Sequence, residues 1–272
     1  MAVFKNGIFA YDSNGQIVNP TTNSTVTVPC GNFFAAVGTL NITQRNAVYQ
    51  LVTDLQSYNI WSKMKAIYPM VGGTANAHKF NLKDPTDSDT SYRLAFNGGW
   101  THSSTGALPN GVDSYADTFF SPGTQLSTND SHISFYSRTN TAWSGYDIGI
   151  QSGSNFFALA CGWSDNKTYY SLNSAELSVN NGSNTSGYFN ATIEGTQLNF
   201  IKNGTFTNYG QIPVTSSNVN ITIGALRNGV TITSYGKREC AFATIGTGLS
   251  LTDGSNLYTA VQRFQTTLGR QV

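Results

Sequence analysis

One short segment, in which apolar and polar residues alternate on both sides of an Asn-Gly pair, constrains the fold of this chain most strongly. Residues 200–207 read F-I-K-N-G-T-F-T, with Asn203 and Gly204 at the centre. A two-residue hairpin turn needs a positive φ at both turn positions, and Asn and Gly adopt that conformation at low cost. The segment therefore predicts a β-hairpin, and residues 218–224 (N-V-N-I-T-I-G) predict a further strand.

The hydrophobic period changes near the C-terminus. Leu257, Val261 and Phe264 recur every three or four residues, which is the spacing of one face of a helix. Ser250 and Asp253 precede them and form a candidate capping pair. The sequence therefore predicts a sheet that ends before residue 250 and a helix that follows it.

The composition is typical of many short strands joined by tight turns. The chain has 272 residues, of which 27 are Gly, 14 are Tyr and 16 are Phe, and 11% are charged. Aromatic residues suit the pleated surface of a sheet, whereas Gly and Asn supply the positive φ values that turns need. A chain of this length can bury one substantial core, so we expect a single β-sandwich with an extension.

The first part of the chain follows a different pattern. Thr43 is predicted to cap a helix over residues 44–57, because apolar residues recur there at helical spacing. We therefore divide the chain into a strand and helix segment over residues 1–90 and a sandwich with a C-terminal helix over residues 91–272. The first segment is expected to serve attachment or assembly and to pack on the sandwich or on a neighbouring subunit.

The order of the motifs resembles a known fold family. The K-N-G hairpin is followed by a strand ending in I-G-A at residues 223–225, another strand, I-G-T-G-L-S at residues 245–250 and a short helix. Upstream, residues 97–122 and the S-F-Y-S-R segment at residues 134–138 look like the opening strands of the same family. In this order the chain resembles the concanavalin A-like or laminin G-like jelly roll. It is most similar to the version found in structural proteins of bacteriophage virions.

The resemblance implies an all-β protein. The expected fold is a concanavalin A-like antiparallel β-sandwich (jelly roll) with an N-terminal segment that contains a helix and with a short C-terminal helix. Strands that face one another in such a sandwich bury alternate residues. The residues predicted to be buried in this way include Ile148, Ile150, Leu198, Phe200, Val219, Ile221 and Ile223.

Charge and hydropathy argue against several function classes. The net charge is +1 and no run of Lys and Arg occurs, so we expect no nucleic-acid partner. No segment approaches the roughly 18 apolar residues of a membrane span, and the N-terminus lacks the apolar core of a signal peptide. We therefore expect synthesis in a host cytoplasm and no membrane insertion. Cys30, Cys161 and Cys240 are widely spaced, and they are predicted to be buried apolar side chains.

The sequence contains no recognised catalytic or metal-binding motif. Glu176, Glu194 and Glu239 have no acidic neighbour two or three residues away, whereas glycosidases direct paired carboxylates into one cleft. Neither the G-x-S-x-G nor the phosphate-loop motif occurs. The acidic segment over residues 84–89 lacks the Gly and Glu of a calcium loop, so an exposed acidic turn is predicted. We expect no enzyme activity, no metal and no cofactor.

Two turn-rich stretches place aromatic residues beside polar ones, at residues 141–147 (T-A-W-S-G-Y-D) and 161–170 (C-G-W-S-D-N-K-T-Y-Y). A sugar presents an apolar face ringed by hydroxyls, so it suits an aromatic platform with amide or carboxylate groups nearby. The predicted carbohydrate-binding residues are Trp143, Tyr146, Asp147, Trp163, Asp165 and Tyr169. The alternative is that Trp143 and Trp163 fill the core or cover its edge.

The resemblance also implies a function. It suggests a bacteriophage virion structural protein displayed on the particle exterior, on the capsid or the tail, with adhesion to host surface glycans. The expected partners are other virion proteins, and the expected state is a homo-oligomer or a capsid or tail lattice. Two alternatives stay open, namely a free-standing carbohydrate-binding lectin and a glycan-cleaving enzyme without the usual acidic motif.

Overall fold

The computed structural model describes residues 10–11, 17–18, 30–180, 182–211 and 217–272. The strands in these residues are β1 (Ala10–Tyr11), β2 (Ile17–Val18), β3 (Met64–Tyr68), β4 (Ala95–Asn97), β5 (Trp100–Ser103), β6 (Gly106–Pro109), β7 (Tyr115–Asp117), β8 (Asp130–Ser137), β9 (Ile148–Ser152), β10 (Asn155–Ala160), β11 (Lys167–Ser174), β12 (Leu177–Asn180), β13 (Gly187–Glu194), β14 (Gln197–Lys202), β15 (Thr205–Gln211), β16 (Thr222–Ile223), β17 (Leu226–Asn228), β18 (Thr231–Thr233) and β19 (Cys240–Gly246). The helices are α1 (Gly31–Val37), α2 (Ile42–Ser57), α3 (Ala75–His78), α4 (Pro122–Gln125) and α5 (Leu251–Thr267).

Two large sheets contain all of these strands except β1 and β2, which pair with each other. The first sheet has the order β15-β14-β13-β8-β19-β6-β5, with β3 also paired to β19. The second sheet has the order β12-β11-β10-β9-β16-β7-β4, and the hairpin of β17 and β18 joins it through β9. Among the described strands only the pairing of β17 with β9 is parallel. The predicted all-β antiparallel sandwich with a C-terminal helix is confirmed.

The two sheets bury one core between them. Successive residues of a strand point to opposite faces of the sheet, so alternate residues share a side. The predicted residues that lie in this core are Ile148, Ile150, Leu198, Phe200, Ile221 and Ile223, with Val219 packed against it. Full burial of each Leu, Ile or Phe side chain contributes roughly 1.5–3 kcal/mol relative to exposure. The predicted alternation is confirmed, and the core it forms fixes the position of the second sheet.

Three helices cover the outer face of the first sheet. Helices α1, α2 and α5 share a second core with side chains of that sheet, among them Tyr136, Tyr188 and Phe242. Phe135, which precedes Tyr136, and Phe189, which follows Tyr188, face the sandwich core instead. This is what the two-residue period of a strand requires. The first sheet is therefore buried on both faces, whereas the outer face of the second sheet carries a small cluster of its own.

Both long helices begin with reciprocal caps. In α2 the Asn41 side chain accepts a hydrogen bond from the Gln44 amide at 2.9 Å, and the Gln44 side chain accepts one from the Asn41 amide. The predicted cap at Thr43 is wrong, because this exchange needs a polar residue three positions before Gln44. Ser250 and Asp253 cap α5 in the same way, so that prediction is confirmed.

The predicted hairpin joins β14 to β15. The φ angles of Asn203 and Gly204 are 47° and 80°, and two positive values are the signature of a type I′ turn. The turn also lies against helix α5, since a Cβ added to Gly204 would be 2.9 Å from a ring carbon of Tyr258. The hairpin prediction is confirmed, and its tip is in contact with the helical layer.

Residues 30–90 pack on the sandwich. Strand β3 pairs with β19, so the first sheet includes a strand from before the predicted boundary at residue 91. Helices α1 and α2 supply side chains to the second core. Residues 1–9, 12–16 and 19–29 lie outside the described residues. The attachment or assembly role of the segment over residues 1–90 stays a prediction.

Several groups that the sequence singled out have internal partners. Cys30, Cys161 and Cys240 are buried and form no disulfide bond with one another, so their predicted role as core side chains is confirmed. In the acidic turn, Asp87 lies 2.7 Å from the Lys79 ammonium. No group of three or more His, Cys, Asp or Glu side chains in the described residues could hold a metal ion. Over the same residues, no helix has both the length and the apolar character that a membrane crossing requires.

Candidate functional site

A group of four aromatic side chains lies on the outer face of the second sheet. We call Tyr146, Phe156, Trp163 and Tyr169 the aromatic cluster. Phe156 belongs to β10 and Tyr169 to β11, while Tyr146 precedes β9 and Trp163 lies in the turn between β10 and β11. Phe157, the next residue after Phe156, faces the sandwich core, so the alternation of β10 directs Phe156 outward.

The rings of the aromatic cluster form a continuous chain of contacts. Tyr146 and Phe156 stack with centroids 6.0 Å apart and planes at 17°. Trp163 meets Tyr146 edge-on at 5.5 Å, and it meets Tyr169 edge-on at the same distance. Tyr146 is buried, whereas the other three rings are half-buried. The cluster is therefore held together by its own packing and still offers aromatic surface to solvent.

Two carboxylates accept hydrogen bonds from the tyrosines of the aromatic cluster. The Tyr146 hydroxyl donates to Glu176 Oε1, and the Tyr169 hydroxyl donates to Asp165 Oδ2 at 2.7 Å. Burial raises the pKa of the half-buried Glu176 above the ordinary value, although the bond from Tyr146 acts in the opposite direction. The pKa of the exposed Asp165 is lowered, first by the bond from Tyr169. The two acidic groups therefore differ in environment, and both have lone pairs beside the rings.

The charges around these two carboxylates are uneven. Lys167 Nζ lies 3.8 Å from Asp165 Oδ2, on the exposed side of the turn. No Lys or Arg among the described residues forms a salt bridge with Glu176. Glu176 is thus a half-buried carboxyl group that has a phenol donor and lacks a cationic partner within that part of the chain.

Asp147 lies beneath this surface instead of on it. Its carboxylate is 1% exposed and lies 3.5 Å from the fully buried Arg238 guanidinium. The amide of Cys161 donates to Asp147 Oδ2 at 2.7 Å, while Arg238 donates to the backbone carbonyls of Gly162 and Trp143. A ligand could not reach the Asp147 carboxylate in this arrangement. The expected ligand contact is therefore corrected to a positioning role, in which Asp147 and Arg238 join the two site loops.

Trp143 lies to one side of the aromatic cluster. Its indole Nε1 donates to the Tyr235 carbonyl at 2.7 Å, and the Lys237 ammonium lies 4.9 Å from its ring centroid. The ring is half-buried and has an internal partner for its only donor. The structure thus brings Tyr146, Trp163, Asp165 and Tyr169 together, with Trp143 on the neighbouring loop, and the ligand-binding role of these residues stays a prediction.

Sequence reasoning missed two members of the site. Phe156 could have been found, because the N-F-F-A-L-A segment alternates and one of its two Phe residues has to face outward when the other is buried. Glu176 left no such signal, since its contact with Tyr146 joins residues 30 positions apart. The sequence marked it only as one of three Glu residues without an acidic neighbour.

Comparisons with known proteins concern the fold. No family model and no curated protein matches the sequence. Domain 4 of AbnA, a GH43 extracellular arabinanase from Geobacillus stearothermophilus in complex with arabinotriose, is 16% identical with a TM-score of 0.47, covering 72% of this chain and 98% of that one. A Trypanosoma rangeli sialidase mutant displaying trans-sialidase activity is 8% identical with a TM-score of 0.48, covering 80% of this chain and 39% of that one.

A third solved structure, domains LG4-5 of the mouse laminin α1 chain, is 14% identical with a TM-score of 0.32. It covers 45% of this chain and 37% of that one. The chain thus spans nearly the whole arabinanase domain but well under half of the sialidase and laminin chains. All three TM-scores are below 0.5, so these likenesses carry no conclusion about what this chain binds.

Proposed function

We propose that the protein binds carbohydrate at the aromatic cluster and does not cleave it. The observation that supports this proposal is the combination of half-buried aromatic surface with two carboxylates, Glu176 and Asp165, that lie at the tyrosine hydroxyls. A sugar has an apolar face that packs on such rings and hydroxyls that donate to such oxygens. The cluster lies on the outer face of the second sheet, away from the helical layer on the first sheet.

Hydrolysis by the two carboxylates of the site is the alternative to binding alone. A glycosidase needs one carboxylic acid to protonate the leaving oxygen and a second carboxylate across the bond. The raised pKa of Glu176 and the lowered pKa of Asp165 have the directions that these two roles would need, but both carboxylates accept hydrogen bonds from tyrosines of the aromatic cluster. We expect binding alone, because the sequence contains no paired-carboxylate motif, and incubation with cell-wall and capsular polysaccharides should release no new reducing ends. Reproducible release that is lost in a Glu176→Gln variant would establish the enzyme alternative instead.

Glycan binding is tested by replacing Trp163 with Ala. We expect the wild-type protein to give a saturable signal on a glycan array and a ligand-dependent change in tryptophan fluorescence. The variant should lose at least tenfold in affinity, because the indole is the largest of the three half-buried rings. Trp61→Ala is the matched control, since Trp61 is also half-buried but packs against the helical core on the other side of the molecule. Absence of any signal at millimolar sugar would overturn the proposal.

We infer a biological setting from the sequence resemblance alone. The proposed setting is the exterior of a bacteriophage virion, on the capsid or the tail, with other virion proteins as partners and several symmetric copies per particle. Mass spectrometry of purified particles tests this proposal, together with antibody labelling of intact particles. We expect the chain to be present and accessible. A chain that is absent from particles yet binds glycans would be the free-standing lectin instead.

A further inference from the structure

Glu176 is the unusual charge of the site. It is half-buried and bonded to a phenol, and within the described residues it has no salt-bridge partner, whereas Asp165 has Lys167 nearby. Removing a carboxylate from water without a cationic partner is costly. A ligand that carries a positive charge into this position would recover that cost, and a neutral ligand would not.

The aromatic ring bonded to Glu176, and the rings that continue from it, favour the same kind of ligand. Tyr146 bonds directly to the carboxylate and stacks on Phe156 at 6.0 Å, and Trp163 and Tyr169 continue the chain of rings. The face of an aromatic ring attracts a cation through its quadrupole, and cages of several rings with a carboxylate recognise ammonium groups. Both the charge and the rings thus point to a cation, and Asp165 adds a second acidic group at the edge.

We propose that the site selects carbohydrate that carries a protonated amino group, such as a glucosamine polymer whose amines are not acetylated. The ammonium would pair with Glu176 among the rings of the aromatic cluster, while the sugar hydroxyls donate to Asp165. Acidic sugars would be repelled by the same two carboxylates. This inference rests on the proposed carbohydrate-binding function and names the substrate class of that site.

The titratable groups around Glu176 predict how binding depends on pH. Burial raises the pKa of Glu176 and that of Tyr146, so the tyrosine stays neutral while the glutamate ionises. The pKa of Asp165 is lowered, with Lys167 Nζ 3.8 Å away at the exposed edge, and Asp147 lies 3.5 Å from Arg238 below. Binding of an ammonium sugar should therefore strengthen as the pH rises through the pKa of Glu176, and it should weaken again when the amine loses its proton.

The test compares four oligosaccharides of equal length by isothermal titration calorimetry. These are glucosamine, N-acetylglucosamine, neutral glucose and galacturonic acid oligomers, with choline as a cation that is not a sugar. We expect the glucosamine oligomer to bind about tenfold more tightly than the neutral and acetylated ones, the size of a partly desolvated cation–π and ion-pair contribution. The Glu176→Gln variant should lose this preference, and Glu194→Gln, whose carboxylate lies on the first sheet, should keep it.

The outcomes of these titrations separate amine selectivity from carbohydrate binding as such. If none of the four oligosaccharides binds, this inference fails, and the glycan array decides whether the proposed function fails with it. Equal binding of the neutral and the amine sugars would overturn the inference and leave carbohydrate binding intact. Choline that binds as tightly as glucosamine oligomers would show a cation site with no sugar specificity, which also overturns it. If Glu176→Gln does not fold, the pH profile of the wild-type protein replaces it, and an amine-sugar affinity that does not rise with pH contradicts the role of Glu176.

Discussion

Asp147 supports the site from below, and its burial makes it important for stability. The Asp147→Asn variant would leave the Arg238 guanidinium buried without an anionic partner. We expect a loss of about 3–5 kcal/mol in the free energy of unfolding, measured by urea denaturation. The exposed Asp165→Asn variant is the matched control and should leave the free energy of unfolding nearly unchanged. Similar losses in the two variants would contradict the positioning role of Asp147.

His132 predicts a dependence of stability on pH. It is fully buried in β8, and its Nδ1 lies 2.6 Å from the Thr247 carbonyl, so Nδ1 donates and Nε2 accepts from the Thr244 hydroxyl at 3.1 Å. Burial lowers the pKa of His132 to about 4, whereas an unfolded histidine titrates near 6.5. The neutral form is bound in the fold, so its contribution is complete above pH 6.5 and is lost as the pH falls toward 4.

The expected size of this effect is about 3 kcal/mol between pH 6.5 and pH 4. Urea unfolding at a series of pH values measures it, and His132→Asn should show a shallower pH dependence than the wild-type protein. His78, whose pKa burial lowers to about 3, acts in the same direction, so part of the slope remains. An unchanged slope in the variant would show that His132 does not hold its neutral form in the fold.

The residues of the site could be predicted only in part. Trp163 and Tyr169 were found because aromatic and polar residues occur together in one turn-rich stretch. The burial of Asp147 could not be predicted, since it depends on Arg238, which lies 91 positions later in the chain and is brought next to it by the fold. Local sequence therefore indicates where a site surface lies, and long-range pairing decides which of its charges face solvent.

At the scale of elements, the β14–β15 turn gives a sharp test of how the hairpin meets the helical layer. Gly204 has a φ of 80°, and an added Cβ would lie 2.9 Å from the Tyr258 ring. Gly195, in the turn between β13 and β14, has a φ of 69° and no atom within 4 Å of such a Cβ. Both Ala variants should lose about 1 kcal/mol from the strained backbone, and Gly204→Ala should lose roughly 1–3 kcal/mol more from overpacking.

Urea denaturation of both variants measures the difference. If they are equally destabilised, Tyr258 moves aside at no cost and the turn is not tightly packed against α5. A Gly204→Ala, Tyr258→Ala double variant should recover most of the extra loss, although it forfeits the packing of the tyrosine ring.

Sequence patterns that span only a few residues predicted turns and helix ends well. The pairing of strands that lie far apart in the sequence could not be predicted from such patterns. The Asn203-Gly204 turn and the Ser250 cap are local, because their hydrogen bonds join residues close in sequence, and both are present. The cap of α2 was misplaced by two residues, since Asn41 and Thr43 are both good capping residues and only the contact with Gln44 distinguishes them. The pairing of β3 with β19 has no sequence signal of this kind.

For the whole molecule, Arg270 joins the ends of distant elements. The side chain is 1% exposed and donates to the carbonyls of Pro69, Met70 and Ala241 at 2.7, 2.7 and 2.8 Å. Burial lowers its pKa to about 9, so it remains charged at neutral pH. The Arg270→Met variant would leave three carbonyls without this donor, and we expect a loss of at least about 3 kcal/mol.

The exposed neighbour Gln271 provides the control, and its Ala variant should lose about 0.5 kcal/mol or less. Circular dichroism and tryptophan fluorescence should report the same midpoint in each variant, because the helices and the first sheet share one core. Separate midpoints in Arg270→Met would show that the helical layer is held on mainly by this residue.

The sequence predicted the β-sandwich and its C-terminal helix, but it did not predict where the N-terminal helices pack. Alternation fixed which residues face the core between the sheets, and the C-terminal helix followed from its spacing. The sequence left open whether the N-terminal segment packs on this chain or on a neighbour, because an apolar helix face is equally suited to either surface. The second core shows that helices α1 and α2 pack on the first sheet of the same chain.

Helices α1, α2 and α5 cover one side of the molecule, and the aromatic cluster lies on the other side. Copies attached to a common support through their helical sides would all present the aromatic cluster to solvent. Several weak contacts with one long polymer then act together, and the avidity can exceed the affinity of one copy by a hundredfold or more when the spacing allows simultaneous engagement. Millimolar binding by the isolated chain is therefore compatible with firm adhesion by an array.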